Sequence, residues 1–191
     1  MKARCKPCLK RYAWIALLFG VGVGSPASAA DLTADAETLR GVFLRQFTQY
    51  VEWPTGHRVL APDFPFELCV VENSKFAEFL GTLYSKQTIK GKAVRVHALT
   101  ADSALAQCDL LFLADMPPLT RDALLKRAAS QPLLIVSASP GYAEAGTHIN
   151  LYEEQERLRF EVNLDAAQRA GLTVSSRLLQ IARIVRSKGG N

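Results

Sequence analysis

CDLLFLADMPPLTRDALLKRAASQPLLIVSAS (residues 108–139) is the stretch that decides the fold class. It opens on an unbroken apolar run, Leu110 to Leu113, and closes on another, Leu133 to Val136. Neither run alternates with polar residues, so each predicts a strand buried on both faces of a sheet. Between them TRDALLKRAAS (120–130) reads as a helix, with Thr120 and Asp122 at its start. A strand, a helix and a strand in this order make a crossover, which parallel neighbours require.

The same alternation continues upstream. FELCVVE (66–72) is a buried strand, and SKFAEFLGTLYSK (74–86) a helix with Ser74 as its cap and Phe76, Phe79, Leu80 and Leu83 on one face. KAVRVHAL (92–99) is a second strand, and a short helical patch at 101–107 leads back to the opening segment. Before these lies LRGVFLRQFTQYVEWP (39–54), in which Leu39, Val42, Phe43, Phe47, Tyr50 and Val51 share one helical face. The spacing predicts a helix over 39–52, capped by Asp35 or Thr33 and stopped by Trp53-Pro54, because the residue before proline is pushed out of the helical region. GHRVLAPDFP (56–65) is then a loop. Phe43, Phe47 and Trp53 are expected in the core.

Downstream the period changes. HINLYEE (148–154) and RLRFEVNLD (157–165) predict an antiparallel hairpin. Leu158, Phe160, Val162 and Leu164 point one way, with Phe160 in the core, while Arg157, Arg159, Glu161 and Asn163 point the other. That pattern predicts one wet face and a place at the sheet edge. AAQRAGL (166–172) follows, and SSRLLQIARIVR (175–186) reads as a closing helix capped by Ser175 or Ser176. The expected architecture is a single α/β domain: a mainly parallel central sheet, helices on both faces, and a C-terminal antiparallel hairpin at the edge.

The formal net charge of +5 is misleading. Lys2, Arg4, Lys6, Lys10 and Arg11 precede the uncharged stretch AWIALLFGVGVG (13–24), and SPASAA then places Ala27 and Ala29 at an A-x-A site. A positive segment, a short apolar run and small residues at a cleavage position make a secretory signal peptide over residues 1–29. Without it, 18 Lys and Arg face 18 Asp and Glu in residues 30–191, so the basic excess disappears. Nucleic acid, which needs a dense positive footprint, is not an expected partner. Cys5 and Cys8 fall in the signal segment. Cys69 and Cys108 remain, and an even pair in an exported chain predicts a disulfide. A 2-1-3 order of the first three long strands would make the two strands that carry them neighbours.

Catalytic patterns are missing. His57, His97 and His148 lie far apart with no metal-ligand spacing, and no phosphate-binding glycine motif or nucleophile elbow follows a predicted strand. PGYAEAG (140–146) leads into a strand rather than a helix, and Glu153-Glu154 reads as a solvated turn. The expectation is a binding or regulatory protein, not an enzyme, with no metal and no cofactor.

FLRQFTQYVEWP resembles the F-x-x-x-F-x-x-Y/F-x-x-W-P opening of the YfiR family of small exported proteins. VRVHAL, CDLLFLAD and PLLIVSAS follow in that family's order. INLYEEQERLRFEVNLDAAQRAGLTVSSRLLQIARIV (149–185) is similar to its ending, where F-E-x-N-L precedes A-x-x-A-G-L and S-S-x-L-L. The likeness spans about residues 36–186. AGTHIN departs from the usual G-G-x-I, and a second cysteine pair that some members carry near the hairpin is missing. The resemblance implies a periplasmic repressor that binds the periplasmic sensor domain of an inner-membrane diguanylate cyclase, lowering cyclic-di-GMP and biofilm formation. For the partner contact, the pattern singles out Arg159, Glu161 and Asn163. A periplasmic small-molecule receptor, using the crevice at the carboxyl ends of the strands, is the alternative. A homodimer and a small-molecule ligand both stay open.

Overall fold

The computed structural model describes residues 29–155 and 157–187, with side chains from Ala36 onward. The signal-peptide reading therefore lies outside the described residues, apart from Ala29. In chain order the elements are α1 (Ala29–Tyr50), β1 (Val51–Glu52), β2 (Phe66–Val71), α2 (Ser74–Tyr84), β3 (Thr88–Ile89), β4 (Lys92–Leu99), β5 (Leu110–Leu113), α3 (Pro118–Ala128) and β6 (Leu134–Ser137). After them come α4 (Tyr142–Ala145), β7 (Ile149–Glu154), β8 (Arg157–Asn163), α5 (Leu164–Arg169), β9 (Thr173–Val174), α6 (Ser176–Leu179) and β10 (Arg183–Val185).

Eight strands form the main sheet in the order β10-β8-β7-β6-β5-β2-β4-β3. From β4 to β7 every neighbour is parallel, with β2 between β4 and β5 in the expected order. β7 and β8 form the antiparallel hairpin, with Asn150 opposite Glu161 and Tyr152 opposite Arg159. The central strands are buried on both faces, which is why their sequences do not alternate. Leu68, Val70, Leu110, Phe112, Leu134 and Val136 share one cluster with Leu44 and Phe47 of α1 and Phe76 and Leu80 of α2. Cys69, Val71, Leu111, Leu113 and Ile135 meet Leu124, Leu125 and Ala128 of α3 on the other face.

α1 and α2 approach closely because Gly41 lies at their contact, where a Cβ would overlap Leu83. The Tyr84 hydroxyl donates to the Gly41 carbonyl at 2.6 Å. Phe47 is buried and Phe43 partly so, and both rings pack on Phe160 of β8, at 5.2 and 6.3 Å between centroids. Trp53 is buried edge-on to Phe66 at 6.1 Å, under the Lys90 ammonium at 5.3 Å, and its Nε1–H has no partner among the described residues.

Cys69 and Cys108 are joined, with 5.8 Å between their Cα atoms and 39 residues of separation. Beside them Asp109, fully buried, accepts the Glu67 amide and the Arg58 Nε, each at 2.8 Å. These bonds fasten the entry of β5 to β2 and to the loop before it.

Several local expectations change. α1 begins at Ala29, so Thr33 and Asp35 lie inside it. It stops at Tyr50, two residues earlier than expected, because Val51 and Glu52 pair with Val174 and Thr173 as a separate two-stranded ribbon. Its buried side is centred on Leu44 and Phe47, while Leu39 and Val42 are exposed. Asn73, not Ser74, caps α2 by accepting the Phe76 amide. No helix forms at 101–107. The expected closing helix over 175–186 is only one turn, capped by Ser175; β-branched Ile184 and Val185 instead join β8 as β10. The hairpin is thus one strand in from the edge.

Candidate functional site

The sheet face under α3 is apolar as far as β6, and then turns polar while staying buried. Ser137 on β6, Asn150 on β7, and Glu161 and Asn163 on β8 are all 2% exposed or less. Their neighbours in sequence, Val136, Ile149, Leu151, Phe160 and Val162, belong to the opposite apolar face. The period-2 alternation of the hairpin is therefore real, but its polar side faces protein rather than water.

Those groups bond to one another in a line across three strands. The Ser137 hydroxyl donates to Asn150 Oδ1 at 2.7 Å, and Thr147 Oγ1 lies 3.0 Å from the same hydroxyl oxygen, in place to donate to it. Asn150 Nδ2 donates to Glu161 Oε1 at 2.9 Å. Glu161 Oε2 accepts from Arg183 of β10, through Nε at 3.0 Å and through Nη2. The Arg183 guanidinium lies 4.5 Å from the Tyr152 ring centroid, with its side chain 55% exposed, so the line ends in solvent. Bonding to Glu161 raises the Arg183 pKa, keeping it charged. Asn163 serves the margin of this face: its Nδ2 donates to the Ala143 carbonyl at 2.7 Å and to Ser187 Oγ at 2.8 Å, and its Oδ1 caps α5 at the Ala166 amide.

His148 lies beside this line at the start of β7, 1% exposed. Its Nδ1 accepts the Ile135 amide at 3.1 Å, which fixes the neutral tautomer with the proton on Nε2. Burial first, and the positive charge of Arg169 second, lower its pKa to about 3. The ring lines a cavity of about 390 Å³ between α3, α5 and the C-terminal segment, together with Lys126, Arg169 and Ser187. At the carboxyl ends of β2, β5 and β6, where a ligand crevice is expected, there is a recess of about 120 Å³ lined by Asn73, Asp115, Ser139 and Arg40 of α1.

Of the three residues singled out for partner contact, only Arg159 stands in solvent, its Nε 3.5 Å from Glu154 Oε2. Glu161 and Asn163 do not, which corrects the expected wet face. β10 pairs outside β8, and α4 and Ser187 bond to Asn163, so the polar side of the strand is enclosed. Sequence reasoning missed Arg183, Tyr152 and Asn150. The available signal was the matching interruption of apolar runs at Ser137 and Asn150, which register brings onto one face. Among the described residues no group of three or more His, Cys, Asp or Glu is placed to hold a metal ion, and no helix is long and apolar enough to cross a membrane.

Strand order and helix cover define a doubly wound α/β domain with a polar face enclosed at one end. Residues 37–183 match the YfiR/HmsC-like family model, and the chain belongs to that family. Among solved structures, a conserved domain protein from Vibrio cholerae O1 biovar El Tor strain N16961 is similar in fold, with a TM-score of 0.56, 13% identity, and coverage of 78% of this chain and 59% of that one. The ABC domain in complex with L-Trp from Streptococcus pneumonia superposes more loosely, with a TM-score of 0.49, 11% identity, and coverage of 74% and 60%. The chain thus spans about 60% of the length of each of these structures.

Proposed function

We propose that this chain represses a membrane-bound diguanylate cyclase by binding the cyclase's periplasmic sensor domain, which lowers cyclic-di-GMP and biofilm formation. The observation that carries the reading is the family match over residues 37–183. In this reading residues 1–29 are a cleaved export signal and residues 30–191 act in the periplasm without chemistry of their own. The contact surface lies at the β8–β10 end of the sheet. Arg159 touches the partner directly, while Glu161 and Asn163 act from beneath, by fixing Arg183 and the C-terminal segment that form the outer surface. Exposed Ile181 and Ile184 beside Arg183 supply apolar area of the kind an interface core uses.

The test is co-purification of the tagged chain from detergent-solubilised membranes, with cyclic-di-GMP measured in the same cells. The reading requires recovery of a membrane cyclase and a lower cyclic-di-GMP level when the chain is present. Arg159→Glu should fold normally and raise cyclic-di-GMP. Failure to recover any cyclase, with cyclic-di-GMP unchanged on deletion of the chain, would overturn it.

A further inference from the structure

We propose that the cavity beneath α3, α5 and the start of β7 binds a small organic anion, a carboxylate or a phosphate ester, on Lys126, Arg169 and the Nε2–H of His148. The proposal does not depend on the regulatory reading, since it rests on how this cavity is lined. Two cationic side chains from different helices reach one cavity. Lys126 has no hydrogen bond or ion pair among the described residues, and Arg169 has only the neutral Ser187 hydroxyl, at 3.2 Å. Asp122 also lines the cavity, but its Oδ1 lies 2.7 Å from Arg121 Nη2, so its charge is answered elsewhere. The wall carries a net positive charge that nothing in it neutralises.

His148 supplies the second, independent observation. It is 1% exposed and its Nδ1 is taken by the Ile135 amide, so Nε2–H is what the ring offers to the cavity it lines. No described residue accepts that proton. The Nε2 atom is not sealed off but touches the solvent of the cavity, so a ligand oxygen there takes the place of water at a donor that the protein leaves free. With Nδ1 accepting the Ile135 amide, and the ring kept neutral by burial first and Arg169 second, a proton-bearing nitrogen faces the ligand. An anionic oxygen meets all three groups, and a cation meets none.

The rest of the wall selects an organic ligand over a bare ion. Leu125, Ala129, Ala145 and Ala166 also line the cavity. Its volume of about 390 Å³ lies within the range of small-molecule sites. The head of the ligand lies on Lys126, Arg169 and His148, and its body against these apolar side chains.

Phenyl phosphate and benzoate are the probes, with phenol and inorganic phosphate as the neutral and body-less controls. Isothermal titration of the full exported chain should show saturable one-site binding of at least one aromatic anion, with a Kd below about 1 mM. Phenol should not saturate, and inorganic phosphate should bind more weakly than phenyl phosphate. The His148 Nε2–H resonance should shift with the same midpoint. Lys126→Ala and Arg169→Ala, both exposed positions, should each weaken binding about tenfold while leaving the melting temperature within about 2 °C, and Lys126→Arg should retain it. Absence of saturation by both anions overturns the proposal. So does equal binding by phenol, or an unchanged affinity in the Lys126→Ala/Arg169→Ala double variant.

Discussion

Glu161→Ala tests the enclosed polar face most directly. Both carboxylate oxygens are engaged, Oε1 by Asn150 and Oε2 by Arg183. Truncation leaves Asn150 Nδ2 buried without an acceptor, which costs about 1–3 kcal/mol. Arg183 is half exposed and rehydrates, so the lost ion pair adds only about 0–1 kcal/mol. With the space left by the side chain the total is about 3 kcal/mol, or a fall of roughly 6–12 °C in Tm for a chain of this size. Glu161→Gln keeps an acceptor for Asn150 and should cost about 1 kcal/mol. Glu161→Lys places a second cation against Arg183 on a buried face and should cost more than about 4 kcal/mol. Urea unfolding of the chain from residue 30 follows all three, because Trp53 is then the single tryptophan, is buried, and reports unfolding by its emission. If Glu161→Ala unfolds within about 0.5 kcal/mol of the unsubstituted chain, the face is wet and the enclosed line of hydrogen bonds is wrong. The same series bears on the proposed cyclase repression, since any Glu161 variant tested for it must first be shown to fold.

Other outcomes follow from single features. Breaking the Cys69–Cys108 bond, by reduction or by replacing both residues with Ala, should lower stability by about 4 kcal/mol for a loop of this length, seen as a lower urea midpoint. His148 is held neutral in the folded chain to about pH 3, but takes up a proton near pH 6.5 once unfolded, so the unfolded state binds more protons between these values. Stability should therefore fall as the pH drops below 6.5, by up to about 1.4 kcal/mol per unit, and His148→Gln should remove that part of the slope. Of the charged groups that line the cavity with it, Arg169 opposes its protonation, Lys126 carries the same sign, and Asp122 is held by Arg121. Phe160→Ala removes the ring on which Phe43 and Phe47 pack and should cost about 3–5 kcal/mol, measured by the same denaturation. Tyr84→Phe should cost only about 1 kcal/mol, because the Gly41 carbonyl lies inside α1 and the loss is one buried hydrogen bond.

The buried parallel strands were legible because an apolar run too short for a buried helix leaves few alternatives. Leu110–Leu113 and Leu134–Ser137 fall inside the segments expected for them. The cysteine pairing followed once strand order placed β2 beside β5. Two kinds of feature were not legible. Alternation in RLRFEVN reveals that the two sides of a strand differ, but polar residues facing water and polar residues facing Asn150 and Arg183 give the same pattern. The closing segment failed for another reason. SSRLLQIARIV has the spacing of a helix, yet the open edge of β8 offers Ile184 and Val185 backbone partners that no local propensity records. Lys126, His148 and Arg169 come from α3, β7 and α5, more than 40 residues from first to last, and only the fold brings them to one cavity.

The seating of α1 has a kinetic meaning. The first helix of the domain packs its aromatic rings on Phe160, and the residues that end it pair with Thr173 and Val174. A chain emerging from its N-terminus thus makes a greasy helix more than a hundred residues before Phe160 and the ribbon strand, which complete its cover, exist. Contacts this distant in sequence close slowly, since the intervening loop must be ordered first. Until the hairpin and the ribbon strand arrive, Leu44 and Phe47 have only α2 and the central strands to cover them, and the side that Phe160 will fill stays open to any binder of apolar segments. This lateness makes the chain most vulnerable to aggregation and proteolysis just before its last thirty residues are released.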